Sequence, residues 1–165
     1  MLNLYLMSYI HFQLACIEHQ ADQELMLFRR FMVRVGEQLA MRTGAQALVT
    51  GDNLAQVASQ TLPNLVSASR AVAIPIFRPL LGYDKNEIVR LAQKIGTYET
   101  SLLPYQDCCS LIARRPKTSS RSERLAAEEG RLVNDYDRLI DETLADGMML
   151  SFRCGKKINS QSMKL

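Results

Sequence analysis

Between residues 23 and 43 the apolar side chains Leu25, Phe28, Met32, Val35 and Leu39 step by three and four. They therefore fall on one face of a helix, which must bury that face against another element. Short apolar runs lie on both sides of this segment: residues 2–9 (LNLYLMSY), 45–49, 72–77 (VAIPIF) and 148–152. Read as strands, they alternate with helices, and the pattern predicts an α/β sandwich with a mainly parallel sheet. In such sheets ligands sit beyond the carboxyl ends of the strands. The turn after residues 45–49 and the loops after residues 72–77 belong to that region. With 165 residues, 47% of them hydrophobic, the chain has the length of about one domain and enough apolar side chains for a core.

Local signals divide the chain further. Residues 2–9 read as a buried strand, followed by a loop or short helix over residues 11–20. Asp22 is placed to cap the helix from residue 23, and Gly44 to end it. Thr50-Gly51-Asp52-Asn53 reads as a turn, with a helical stretch over residues 54–60 after it. Pro63 suits the first turn of the next helix. Pro75 removes a ladder donor from residues 72–77 and predicts an edge or irregular strand. Asp84-x-x-Glu87 forms a capping-box pattern before a helix that stops at Gly96. A loop is expected over residues 97–109. Ser120-x-x-Glu123 opens a last long helix reaching about Leu144. The segment 154–165 is polar and basic and is expected to fray as a flexible tail.

Composition excludes several classes. It does not fit collagen, a disulfide-dense mini-protein or a wholly disordered chain. No apolar run reaches the roughly 18 to 20 residues of a membrane helix. The apolar start has no basic flank and no convincing cleavage site, so it does not read as a signal peptide. The expected setting is a reducing cytoplasm, with Cys16, Cys108, Cys109 and Cys154 as free thiols. There is no CxxC pair, and His11 and His19 lie far from Cys108 and Cys109 in sequence, so a structural zinc site has little support. Two adjacent cysteines also supply too few ligands for an iron–sulfur cluster.

Three segments could carry chemistry. Gly51 at a strand-to-helix turn permits close backbone approach to a ligand, and the following N–H groups suit an anion; an ordinary turn has the same pattern. Gln56, Ser59 and Gln60 are polar groups at helical spacing there. Tyr105-Gln106-Asp107-Cys108-Cys109 lies just before Arg114 and Arg115, whose charge would favour a thiolate nucleophile. The same cysteines could equally be small packed residues, and Cys16 reads as core. Arg29-Arg30 could send one guanidinium to a phosphate or face solvent. The net charge of +3 decides nothing alone. The cluster Arg114, Arg115, Lys117, Arg121 and Arg124, against the single acid Glu123, is either a solvated loop and helix start or a phosphate-facing patch.

Taken together, these segments resemble the ThiI type of tRNA sulfurtransferase, the tRNA 4-thiouridine synthases. GDNLAQVASQT at residues 51–61 is similar to that family's G-[DE]-[SN]-[LT]-[GA]-Q-V-A-S-Q-T signature. The agreement continues through Phe77-Arg78-Pro79-Leu80, Asp84-Lys85-x-Glu87-Ile88, Ile95-Gly96-Thr97-Tyr98 and Pro104-Tyr105-x-Asp107-Cys108-Cys109. Upstream, Arg29-Arg30-x-Met32 matches the family's helix, and the resemblance covers residues 2–152. It implies the later part of a PP-loop ATP pyrophosphatase domain, a Rossmann-like three-layer sandwich of the adenine-nucleotide α-hydrolase type. The reaction implied is adenylation of a uridine C4 oxygen in tRNA by ATP, with Mg2+, followed by sulfur transfer from a cysteine persulfide. Sulfur transfer for thiamine thiazole synthesis is implied as a second role. Carried over residue by residue, Arg29, Gly51 and Gln60 are expected at ATP. Cys108 is expected to carry sulfur, with Asp107 assisting and Cys109 accessory. Arg114, Arg115 and Lys117 are expected near tRNA phosphates. A sulfur donor such as a cysteine desulfurase is expected as a partner, and no membrane.

The sequence departs from the family in one large respect. The SGGxDS loop that cradles ATP phosphates is absent, so the chain as it stands is expected neither to bind ATP appreciably nor to complete adenylation. It reads as a truncated gene product, or as a fragment or subunit of a larger synthase. An open sheet edge is expected to be covered by a homodimer partner or by another chain. Two alternatives to an enzyme piece follow: a non-catalytic binding module that retains the fold, and a persulfide carrier without ATP chemistry.

Overall fold

The computed structural model describes residues 1–18, 23–54, 57–104, 119–132 and 135–163. Two sheets organise them. Strands β1 (Leu2–Leu6), β4 (Met148–Arg153) and β5 (Lys156–Ser162) form an antiparallel sheet in the order β1-β4-β5. Strands β2 (Leu48–Val49) and β3 (Ile76–Phe77) form a separate parallel pair. The expectation of a mainly parallel sheet is thus corrected: an α/β fold is present, but most of its strand pairing is antiparallel. The cause lies at the C-terminal end, where β4 returns beside β1 rather than extending the β2–β3 pair, with Leu4 opposite Leu150.

The helices are α1 (Ile10–Glu18), α2 (Glu24–Thr43), α3 (Leu62–Ser69), α4 (Lys85–Lys94), α5 (Tyr98–Ser101), α6 (Ser122–Leu132) and α7 (Tyr136–Ala145). Helix α2 is the axis of the core. Its Leu25, Met26, Leu27, Phe28, Phe31 and Val35 are buried, against Phe12 and Cys16 of α1, Leu125 and Leu132 of α6, and Leu139, Ile140 and Leu144 of α7. Phe12 stacks on Phe31 at 4.9 Å between ring centroids, and Tyr9 meets Phe28 edge-on at 5.7 Å, the offset geometries that aromatic pairs favour. Cys16 is core, as its apolar setting suggested. Burial first, then the Glu24 and Glu128 charges, push its thiol up to about 12.

The caps follow the sequence closely. Gly44 ends α2 with φ 73° and donates its N–H to Ala40 O, the left-handed close that glycine adopts without penalty. Pro63 stands in the first turn of α3. Asp84 accepts from the Glu87 amide at 2.8 Å while the Glu87 carboxylate accepts from the Asp84 amide at 2.7 Å, completing the expected capping box. At the start of α2 the cap position is Gln23, in the left-handed region at φ 62°; Asp22, expected to cap it, lies outside the described residues.

Several expectations change. The strands over 2–9 and 45–49 shorten to five and two residues and are not buried: Leu2 is 67% and Val49 70% exposed. Within the helical stretch expected over 54–60, the described residues show a 3-10 turn at Ala58–Gln60, and residues 55 and 56 lie outside them. The single long helix from Ser120 becomes α6 and α7, the second opened by Asp135, whose side chain accepts from the Arg138 amide at 3.0 Å. Residues 156–162, read as part of a frayed tail, pair along β4 as β5. Cys154 and Gly155 make the turn between them at φ 48° and 75°, the two successive positive values of a tight hairpin.

Candidate functional site: a cleft at the ends of the parallel strands

Helix α2 packs on the β2–β3 pair through Gly36. A methyl group there would stand 3.3 Å from Leu48 Cδ1, so the missing side chain lets β2 approach the helix closely. The approach leaves a cleft of about 280 Å3 along one side of β2. Its walls include Arg29, Met32 and Val33 of α2, Val49 of β2, Thr50 and Asp52 beyond β2, and Arg78 beyond β3. Met32, predicted for the core face of α2, lines this cleft instead and is exposed.

At the carboxyl ends of both strands the chain gathers a charged cluster. The Asp52 carboxylate is buried and accepts from Arg29 Nη2 through Oδ1. Through Oδ2 it accepts from Thr50 Oγ1 at 2.8 Å and from Arg78 Nε at 3.0 Å. Arg78 also donates to Ser69 Oγ at 3.0 Å. Burial pushes the Asp52 carboxyl up, but the Arg29 hydrogen bond and charge, with Thr50 and Arg78, outweigh it and hold the group below the ordinary aspartate value. One carboxylate thus faces two guanidiniums, and the cluster carries a net positive charge. Arg29 Nε is buried and has no hydrogen-bond partner among the described residues. A buried donor of this kind calls for a ligand or water.

The predicted positions divide as follows. Arg29 is in the cleft wall. Its neighbour Arg30 points the other way, as the roughly 100° turn per helical residue requires, and is locked in the core. Its Nε and Nη2 each donate to Glu129 at 2.8 Å and its Nη1 donates to Ser67 O at 2.6 Å. Gly51 is exposed, with open space where a side chain would begin. The backbone there leaves room for a ligand but does not itself require glycine. Gln60 reaches back into the turn, and its Oε1 accepts from the Asn53 amide at 3.0 Å. Asn53 Nδ2 ties the same turn to the carbonyls of Leu80 and Tyr83. Gln60 therefore holds the shape of the turn rather than standing in the cleft wall. Cys108, Asp107, Arg114, Arg115 and Lys117, together with Cys109 and Gln56, lie outside the described residues.

Sequence reading missed Asp52 and Arg78 as site residues. Both occupied quoted motifs, and both lie within three residues of a strand's carboxyl end. What the sequence could not supply was the pairing of β2 with β3, which brings together side chains 26 positions apart.

A crevice beyond the carboxyl ends of parallel strands, walled by arginines, marks an α/β domain whose cleft has the charge to suit an anionic ligand. The comparisons carry the identification further. The family described as "Thiamine biosynthesis protein (ThiI)" matches residues 1–133, and the chain belongs to it. The chain is 43% identical over 152 residues to a probable tRNA sulfurtransferase of Acetivibrio thermocellus, covering 91% of this chain and 38% of that one. It is 48% identical over 120 residues to the probable tRNA sulfurtransferase of Thermus thermophilus, covering 72% and 30%. A crystal structure of a 4-thiouridine synthetase–RNA complex with bound ATP superposes with a TM-score of 0.81 at 39% identity, over 89% of this chain and 38% of that one. The chain thus spans less than two fifths of the length of these relatives.

Proposed function

We propose that the chain supplies the cleft and the cysteine segment of a tRNA sulfurtransferase that makes 4-thiouridine. The observation that carries this reading is the Arg29–Asp52–Arg78 cluster at the carboxyl ends of β2 and β3, in a chain whose structural relative is a 4-thiouridine synthetase with RNA and bound ATP. Arg29 and Arg78 would face the nucleotide, while Asp52 fixes their guanidiniums. Gln60 would keep the Gly51 turn open to it. A cleft of about 280 Å3 lies at the small end of ligand pockets, roughly 300–1,000 Å3. It would fit part of an ATP molecule, with a phosphate-binding SGGxDS loop supplied from outside this sequence. Mg2+ would arrive with the phosphates. Among the described residues no group of three His, Cys, Asp or Glu side chains could hold a metal.

In this reading ATP supplies the AMP that converts the uridine C4 oxygen into a leaving group. Cys108, loaded as a persulfide by a donor such as a cysteine desulfurase, would attack C4 through its outer sulfur as AMP leaves with the C4 oxygen, with Asp107 beside it; a second thiol, from a cysteine or a thiol reductant, would then attack the Cys108 sulfur, breaking the S–S bond to release 4-thiouridine and leave a disulfide. Arg114, Arg115 and Lys117 contact tRNA phosphates. Sulfur transfer for thiamine thiazole synthesis is a second use of the same cysteine. The setting is the cytoplasm, and among the described residues no helix is long and apolar enough to cross a membrane.

The test is complementation of a bacterial strain lacking its 4-thiouridine synthase, scored by 4-thiouridine absorbance in bulk tRNA. The chain is expressed alone and together with a polypeptide carrying the tRNA-binding region and SGGxDS loop. Restoration by the pair, lost in Cys108→Ala, supports the reading. Soluble, folded chain that restores nothing in either setting overturns it in favour of a binding module.

A further inference from the structure

The antiparallel sheet is built from segments without acidic side chains: neither residues 1–17 nor residues 147–165 contain Asp or Glu. The charged side chains on its strands are Arg153, Lys156 and Lys157, all exposed and all at the β4–β5 hairpin. Arg153 stands directly opposite Lys156 in the register, and Phe152 opposite Lys157. Like charges directly opposite one another destabilise a ladder. None of the three cations has an ion-pair partner among the described residues. Guarding of a free sheet edge accounts for lysines on β5. It does not account for Arg153, which lies on the central strand β4. A polyanion does, because its charge relieves the repulsion between the opposed cations.

Opposed residues share a face of a sheet, and successive residues alternate between faces. Arg153 and Lys156 therefore project from one face of the hairpin and Lys157 from the other. The hairpin end can meet phosphates on both of its sides at once. Asn159 and Gln161, also exposed on β5, add amide donors along the same strand. We propose that the β4–β5 hairpin is a contact for tRNA phosphates, separate in sequence from Arg114, Arg115 and Lys117. The identity of the polyanion rests on the thiolation reading; the charge and geometry of the hairpin do not. Such a contact positions an RNA without reading its sequence. An anionic membrane suits the hairpin less well. Membrane recognition of this kind uses clusters of roughly four to eight cations beside a membrane-bound helix, whereas here three cations lead into the polar run Asn159-Ser160-Gln161-Ser162.

Fluorescence anisotropy of labelled bulk tRNA, titrated with the chain at about 50 to 200 mM salt, tests it. Far-ultraviolet circular dichroism confirms that each variant is folded. The double variant Lys156→Gln with Lys157→Gln removes two phosphate contacts. Its plot of log affinity against log salt should be shallower by about 1.8. Over that fourfold rise in salt the wild-type affinity then falls about twelvefold more than the variant's. Lys157→Gln alone should shift the slope by about 0.9. Arg131→Gln on α6, which removes the same charge from an exposed position elsewhere, should leave the slope unchanged. A wild-type chain that binds no tRNA at the lowest salt overturns the proposal. So does a double variant with an unchanged slope, or a shift reproduced in full by Arg131→Gln. A double variant that loses binding to phosphatidylserine vesicles and keeps its tRNA binding also overturns it, and makes the hairpin a membrane contact. The complementation test separates this inference from the reading beneath it. A shifted slope without thiolation keeps the RNA contact and removes the reaction, whereas thiolation with an unchanged slope removes only the hairpin contact.

Discussion

Removing the Arg30 guanidinium should be among the most damaging single changes to this fold. Arg30 is 2% exposed and forks onto Glu129 with two hydrogen bonds of 2.8 Å, while a third, of 2.6 Å, reaches the Ser67 carbonyl. It thus ties α2 to both α6 and α3. Arg30→Met keeps the volume but leaves a buried carboxylate short of one cation. Removing one partner of such a pair costs about 3–5 kcal/mol. Arg34 Nη2 remains 3.3 Å from Glu129 Oε2 and moderates the loss, which places the expectation near the lower end of that range. For a domain of this size that lowers the melting temperature by about 6–12 °C. The double variant Arg30→Met with Glu129→Leu removes the orphaned charge as well. Arg34, stacked on the Tyr136 ring at 5.3 Å and partly exposed, can then turn toward solvent. The double variant should recover at least half of the loss, about 1.5–2 kcal/mol, so that its cost falls well below the sum of the two single-variant losses. Urea unfolding followed by circular dichroism on all four proteins measures it. A single-variant cost below about 1 kcal/mol, or losses that simply add, would refute the reasoning.

Three further outcomes are expected. Because the Asp52 carboxyl is held below its unfolded value, its contribution to stability is complete above the ordinary aspartate range and is lost as pH falls through the lower folded value. Urea titrations from neutral pH down to about pH 3 should show that excess acid sensitivity in wild type and not in Asp52→Asn. Asp84→Ala removes one half of the capping box and should cost about 1 kcal/mol, read as a melting shift of about 2–4 °C. Buried Cys16 should resist iodoacetamide at mildly alkaline pH in the folded chain, while exposed Cys154 is alkylated; peptide mapping distinguishes them.

Features set by local chemistry were legible in the sequence. Helix α2, the Gly44 close, Pro63 in the first turn of α3 and the Asp84–Glu87 box each depend on residues within a few positions of one another. What depended on distant pairing was not. Strand β5 has no hydropathy alternation, because its ladder is made by backbone groups along β4, and only the Cys154-Gly155 turn hinted at it. The break between α6 and α7 had a signal in Asp135, hidden by the apolar periodicity running through it. The Arg30–Glu129 pair spans 99 residues; helical periodicity alone did not say which of Arg29 and Arg30 faces the cleft, and only the family resemblance singled out Arg29. The cleft shows the same limit. Its motifs were visible, but the role of Asp52 in holding Arg29 and Arg78 together appears only when β2 and β3 are side by side.

If the cleft and the cysteine segment serve one reaction, a single sulfur atom can be followed from one to the other. The chain is charged with radioactive sulfur by a cysteine desulfurase acting on labelled cysteine, then mixed with tRNA and a polypeptide carrying the tRNA-binding region and SGGxDS loop. Label is expected on Cys108 and is expected to move into 4-thiouridine only when ATP is added. In Arg29→Met the cysteine should still be charged, with delivery slowed about tenfold to a hundredfold, equivalent to about 1.4–2.8 kcal/mol. Label reaching tRNA without ATP, or reaching it undiminished in Cys108→Ala, would mean that the cleft and Cys108 do not act together in thiolation.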